Sequence, residues 1–271
     1  MTRLDLDILH PKAKKQAALQ TVRKIIEQQL AEYFAKYRFR GEILDKGDWL
    51  KDFVGLFDRG DTIVALNYDC LLEGVLDYYK VWSPKGGYAV LDHSPLWSSD
   101  NAKDIRIFKI HGSEHFKESP GWPDRNKTSI GFALNESIYP RSGKNTHFDY
   151  GDLESRPYII APSFVKVPHQ DIELMMIEAL KAAATAVSFI IIGCGMRPED
   201  SFLWLLLTTF LNQPLNHRTL VIVDPLGEKV GERIVGHYFA DIKESITIKT
   251  LAKGIQHATP ELVAELHGNH N

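Results

Sequence analysis

Residues 62 to 80 read TIVALNYDCLLEGVLDYYK. The β-branched run TIVAL, from 62 to 66, is closed by Asn67, Tyr68 and Asp69, and CLLEGVLDYYK behind it reads as a helix. This is a strand, a tight loop and a helix. The same order recurs at AVSFIII (186 to 192), where Gly193-Cys194-Gly195-Met196-Arg197-Pro198 leads into FLWLLLTTFL. It recurs again at TLVIV (219 to 223), where Asp224-Pro225 leads toward a helix near 227 to 239. The strands are continuous rather than alternating in hydrophobicity, so both faces are expected to be buried, in a mostly parallel sheet with helices on either side. The fold class is α/β. IRIFKI (105 to 110) and YIIA (158 to 161) are expected to add two strands, and ITIKT (246 to 250) to close the sheet.

Upstream, QAALQTVRKIIEQQLAEYFAKYR (16 to 38) sets Leu19, Val22, Ile26, Leu30 and Phe34 three and four apart, the mark of an amphipathic helix. LDLDIL (4 to 9) alternates briefly and is left open between a short strand and a helical turn. Between 112 and 157 the chain is rich in Gly, Pro, Ser, Asn and charge, with little periodicity. About forty residues without a clear element exceed a plain connecting loop, so an irregular insert or small lobe is expected, within one domain spanning 1 to 271.

The 271 residues are 44% apolar, 25% charged and 10% aromatic, an ordinary globular composition that excludes disorder as a description of the whole. A chain of this length buries roughly three quarters of its unfolded surface and needs neither disulfides nor a structural metal. Lys and Arg number 32 against 35 Asp and Glu, a net charge of −3, which gives no electrostatic footprint for nucleic acid or anionic lipid. The two cysteines, Cys70 and Cys194, lie far apart and form no CxxC pair, which fits a reducing cytoplasm. The apolar stretches AVSFIIIGCG and FLWLLLTTFL fall short of the ~20 residues of a membrane helix, and MTRLDLDILHPKAKKQ has no apolar core resembling a signal peptide. A soluble protein is expected.

In open α/β sheets ligands bind at the carboxyl ends of the strands, so the residues just past each strand matter most. They are Asn67-Tyr68-Asp69, His111-Gly112-Ser113, Gly193-Cys194-Gly195-Met196 and Asp224-Pro225. The Asn67 amide donates and accepts, which suits the orientation of a hydroxyl or a water, and Asp69 can accept from a sugar hydroxyl or hold its loop. Helix capping is the plainer use of either residue. His111 directly follows a strand, and Gly112 lets the chain turn sharply behind it; a general base and a structural histidine are evenly matched readings. Gly193-Cys194-Gly195 would let a ligand approach backbone N–H groups at a helix start. Glu199 and Asp200 already answer that helix dipole, which favours a ribose or adenine edge there over a diphosphate. Cys194 reads as a small buried residue rather than a nucleophile. His115, His147 and His169 lack metal-ligand spacing, so no metal is assigned. GWPD (121 to 124) reads as a hydrophobic plug or a pocket wall.

As an ordered set, TIVALNYDCLLE, IFKIHGS, YIIAPSFVK, IIIGCGMRPEDSFL and LVIVDP resemble the sirtuin-like domain of the silent-information-regulator superfamily, in particular its zinc-less prokaryotic branch. The resemblance runs from about residue 60 to 225 and implies a Rossmann-like domain that binds NAD, or an ADP-ribose-like small molecule, across the carboxyl edge of the sheet. It implies that Asn67 positions the nicotinamide ribose or a water and that His111 is the base toward the ribose hydroxyls. Asp69 would stand near the nicotinamide, Gly193, Gly195 and Met196 near the adenosine or phosphates, and Asp224 near the adenine ribose. The activity implied is an NAD glycohydrolase used in antiviral defence. The alternatives are an inactive binding or scaffold module and an NAD-dependent lysine deacylase; assembly into a homo-oligomer is left open. Two departures stand out: there is no four-cysteine zinc module, and residues 1 to 60 contain no strand followed by a Gly-Ala-Gly phosphate loop. Either LDLDIL replaces that strand, or another chain does, or the chain is a fragment or divergent form.

Overall fold

The computed structural model describes residues 13–39, 49–88, 105–120, 128–132, 135–142, 156–160, 168–198, 200–212, 218–237 and 246–267. LDLDIL, GWPD, His147 and Glu199 lie outside the described residues. In chain order the elements are α1 (Ala13–Phe34), α2 (Trp49–Val54), β1 (Thr62–Ala65), α3 (Leu71–Tyr78), α4 (Pro84–Gly87), β2 (Arg106–Lys109), β3 (Gly112–Pro120), β4 (Thr128–Phe132) and β5 (Arg156–Ile159). There follow α5 (Gln170–Thr185), β6 (Ser188–Ile192), α6 (Ser201–Leu211), β7 (Arg218–Val223), α7 (Gly227–His237), β8 (Ile246–Leu251) and α8 (Ile255–His267). The chain divides into two compact units, Met1–Lys46 with Phe57–Met176 and Gly47–Leu56 with Ile177–Asn271.

The second unit holds the parallel sheet β6-β7-β8, its successive strands joined through α6 and α7. β7 is central, and Leu220, Val221 and Ile222 are fully covered, which is what the unbroken run TLVIV requires. Successive side chains of a strand point to opposite faces. Val221 and Val223 meet Leu56, Ala258 and Leu262, with Phe53 of α2 and Leu251 packed against them. On the other face Gly227 and Gly231 of α7 come up to Ile222 and Thr250. Helices therefore cover both faces. Complete burial of a leucine such as Leu262 contributes about 1.5–3 kcal/mol.

In the first unit β1 and β2 pair in parallel, as expected. Residues 112 to 160 differ from the sequence reading: β4, β3 and β5 form an antiparallel sheet with β3 in the middle. YIIA therefore does not extend the parallel sheet, and among the described residues the segment expected to be irregular contains β3, β4 and the start of β5. The cause lies in β3, whose Ser113, Glu114 and His115 are all buried with hydrogen-bond partners. Buried polar residues that find partners erase the hydrophobic signal of a strand.

α1 begins and ends a few residues before the span expected for it. Of its apolar stripe, Leu30 and Phe34 pack on a small core of Ala31, Tyr68 and Ile159, whereas Val22 and Ile26 are 46% and 41% exposed. Glu27 is buried instead, its carboxylate accepting from Arg23 Nε at 2.8 Å. No helix among the described residues is long and apolar enough to cross a membrane.

Candidate functional site

β1 and β2 run in register from Thr62 with Arg106 to Ala65 with Lys109. Asn67 and His111 each lie two residues past the last paired position, so they leave the sheet at the same level of its carboxyl edge. Asn67 is exposed and His111 half-buried. Two bonds tie their loops together: the Tyr68 hydroxyl donates to the Ile160 carbonyl (2.6 Å), and the Ile160 N–H donates to the His111 carbonyl (2.8 Å). Gly112 turns the chain behind His111 at φ +77°, and a Cβ there would lie 2.2 Å from the Tyr158 carbonyl oxygen. No side chain fits. Asp69 Oδ1 accepts from the Leu71 N–H at 3.0 Å, an Asx turn that starts α3, so one of its carboxylate oxygens is used locally.

Behind this loop lies a set of buried polar groups. Lys109 and Glu73 are each 1% exposed and 2.7 Å apart, and Lys109 Nζ also donates to the Asp69 carbonyl. The Tyr88 hydroxyl donates to Glu73 (3.1 Å) and Tyr139 to Tyr88 (3.5 Å). Tyr139 and His115 Nε2 are 2.5 Å apart, while His115 Nδ1 lies 2.9 Å from Cys70 Sγ and 3.1 Å from Ser113 Oγ. Ser113 Oγ donates to the Tyr68 carbonyl (3.1 Å), which also accepts from the Glu114 N–H (2.8 Å). The chain of bonds thus starts at the carbonyl of Asp69 and ends at that of Tyr68. Arg38 grips Glu114 through two nitrogens, at 2.9 and 3.1 Å.

Burial holds the His115 imidazole well below its ordinary range, and Lys109, Arg38 and Lys117 add to the drop, so the ring is neutral. Burial also pushes the Cys70 thiol and the Tyr88 and Tyr139 hydroxyls well up. For Lys109 burial works against the charge, but Glu73, Cys70 and Asp69 outweigh it and raise its pKa. The network is neutral around one ion pair, and Cys70 is a thiol rather than a nucleophilic thiolate.

The remaining sequence-chosen residues, Gly193, Gly195, Met196 and Asp224, come together in the second unit at the carboxyl ends of β6 and β7. The Gly193 N–H donates to the Val223 carbonyl (2.9 Å), which sets the glycine turn beside Asp224. Gly193 has φ +61° and open space where a Cβ would stand. Met196, buried, also has a left-handed φ of +45°. Arg233 of α7 donates to the carbonyls of Gly195 and Met196 and pins the turn. Asp224 Oδ1 accepts from the Leu226 N–H (2.7 Å) and leads into α7. Cys194 is half-buried, its thiol pushed up by burial. His169 receives the Asp171 N–H at Nδ1 (3.1 Å), a local use. Among the described residues no group of three or more His, Cys, Asp or Glu side chains is placed to hold a metal.

Lys109, Glu73 and Tyr139 escaped the reading of the sequence, which named Ser113 only as part of a strand-end turn and weighed His115 only as a metal ligand. Two signals were present: a lone lysine inside the apolar run IRIFKI, and Ser113 and His115 two apart, which a strand places on one face.

Parallel strands joined through helices, with a glycine turn and a carboxylate at their carboxyl ends, define a Rossmann-like α/β protein. No family model matches the chain, and no curated protein matches it. Among solved structures it is similar to a Sir2 homologue mutant in complex with ADP ribose, at 12% identity, TM-score 0.46, covering 98% of this chain and 81% of that one. It is similar also to Sir2 bound to acetylated peptide, at 14% identity, TM-score 0.36, covering 98% and 83%. A third is Sir2 with a p53 peptide and NAD+, at 13% identity, TM-score 0.36, covering 99% and 83%.

Proposed function

We propose that the chain takes NAD as substrate and hydrolyses its nicotinamide–ribose bond, with Asn67 and His111 as the catalytic pair. The observation that carries this reading is the common level at which the two residues leave β1 and β2, on the edge where α/β sheets receive ligands. In the reaction the C1′–N bond breaks, the pyridinium nitrogen takes the bonding pair, and nicotinamide leaves neutral. The ribose passes through an oxocarbenium-like state, and a water oxygen forms the new bond to C1′. The Asn67 amide holds that water or a ribose hydroxyl, and His111 takes the proton released. The products are nicotinamide, ADP-ribose and a proton. Asp69 stands toward the nicotinamide, Gly193, Gly195 and Met196 serve the adenosine or phosphates, and Asp224 serves the adenine ribose. Antiviral defence in a prokaryotic cytoplasm is the setting that the sequence resemblance suggests.

The missing Gly-Ala-Gly loop in residues 1 to 60 favours a second reading, a binding or scaffold module without turnover. Chromatography of NAD incubated with the protein separates the two. Wild type is expected to release nicotinamide, and His111→Ala to lower the rate by about 10²–10⁴-fold, the usual contribution of a general base. An unchanged rate in His111→Ala overturns the assignment of the pair. Calorimetric binding of NAD without release of nicotinamide favours the second reading.

A further inference from the structure

Moving a lysine and a glutamate out of water costs more than their mutual attraction readily returns, and a packed apolar pair of similar volume is often no less stable. Stability alone therefore gives no reason for Lys109 and Glu73 to be buried together. Their bonds do. Lys109 reaches past Glu73 to the Asp69 carbonyl, while at the far end of the same network Ser113 takes the Tyr68 carbonyl. One arrangement of protons satisfies the members: Ser113 O–H to the Tyr68 carbonyl, Cys70 S–H shared between His115 Nδ1 and Ser113 Oγ, His115 Nε2–H to Tyr139, Tyr139 O–H to Tyr88, Tyr88 O–H to Glu73, and Lys109 to Glu73. It needs a neutral imidazole and a neutral thiol, the states that burial gives them. Hydrogen bonds linked in this way orient one another, so the carbonyls of residues 68 and 69 are fixed with respect to β2 and β3. Asn67 is the next residue along.

We propose that Lys109, with Glu73 at one end of the network and Ser113 and His115 at the other, is a positioning residue for Asn67: it holds the Tyr68–Asp69 loop so that the Asn67 amide stays level with His111. The kinetic consequence rests on the reading of Asn67 and His111 as the catalytic pair; the order imposed on the loop does not.

The test uses Lys109→Met, and Ser113→Ala, which removes one hydroxyl and leaves the ion pair intact. Ile130→Val, a mild core truncation in the same unit and outside the network, is the control. Hydrogen exchange is followed by mass spectrometry over residues 66–72, and nicotinamide release gives kcat and KM. Both network variants are expected to exchange about tenfold faster over 66–72, with 218–223 of the other unit unchanged. They are expected to lose about a hundredfold in kcat, the scale of a misplaced catalytic group, while KM stays within about threefold. Ile130→Val changes neither. Wild-type exchange over 66–72 in folded network variants overturns the proposal, as do kinetic changes no larger than those of the control. Should Lys109→Met fail to fold, Ser113→Ala decides. If the wild-type protein releases no nicotinamide, the functional reading falls and the exchange over 66–72 alone decides the positioning.

Discussion

His115 is surrounded by Cys70, Ser113, Tyr88 and Tyr139, with Lys109, Arg38 and Lys117 as the nearby cations. Burial and those cations keep it neutral in the folded protein. Above pH about 6.5 the imidazole is neutral in the unfolded chain too, and it contributes no pH dependence. Below that value the unfolded ensemble binds a proton that the folded state does not, so stability falls with pH, by up to about 1.4 kcal/mol per unit. Urea unfolding at pH 7.5, 6.5 and 5.5 is expected to show this slope, and His115→Gln to reduce it. Identical slopes in the two proteins would place the titration elsewhere. That Asn67, Asp69 and His111 stand within a few residues of a strand's carboxyl end was legible in the sequence, a relation carried by neighbours in the chain. The roles of His115 and Lys109 were not, because the groups that give them meaning, Cys70, Glu73 and Tyr139, lie tens of residues away.

At the scale of elements, the turn behind β2 and the turn behind β6 both rest on a glycine with positive φ, but their surroundings differ. Gly112 abuts the Tyr158 carbonyl, whereas nothing stands within 4 Å of the place a Cβ would occupy at Gly193. Gly193→Ala is expected to lose only the left-handed strain, roughly 1–2 kcal/mol. Gly112→Ala adds a backbone clash with β5, and a loss of about 3 kcal/mol or more is expected from denaturant unfolding. Equal losses at the two sites would mean that β5 yields. The three strand–loop–helix junctions could be read from sequence because apolar runs and turn residues define them locally. The antiparallel β4-β3-β5 sheet could not. Its central strand is written in Ser, Glu and His, which count as loop residues until their buried partners are known. α1 carried a similar ambiguity, since the face that packs is chosen by Tyr68 and Ile159 and includes the paired Glu27 rather than Val22 and Ile26.

At the scale of the whole molecule, a ligand that binds only the folded chain must stabilise it. NAD at a hundredfold its dissociation constant is expected to add about 2.7 kcal/mol. For a chain of this size, at roughly 2–4 °C per kcal/mol, that corresponds to a rise in melting temperature of about 5–10 °C, measurable by calorimetry. His111→Ala should keep the rise, since its imidazole acts on the proton released during bond cleavage; no rise even in wild type removes the enzyme reading and favours a structural or interaction role. The sequence by itself determined the α/β class, the strand ends and the residues standing on them, because hydrophobic runs, turn residues and their order are local properties of the chain. Only the tertiary structure decided which strands pair, that β4-β3-β5 forms an antiparallel sheet, and that a buried ion pair and a neutral histidine lie behind the Asn67 loop. Those features depend on contacts between residues distant in sequence, where burial and hydrogen bonding, rather than local pattern, set the role of each side chain.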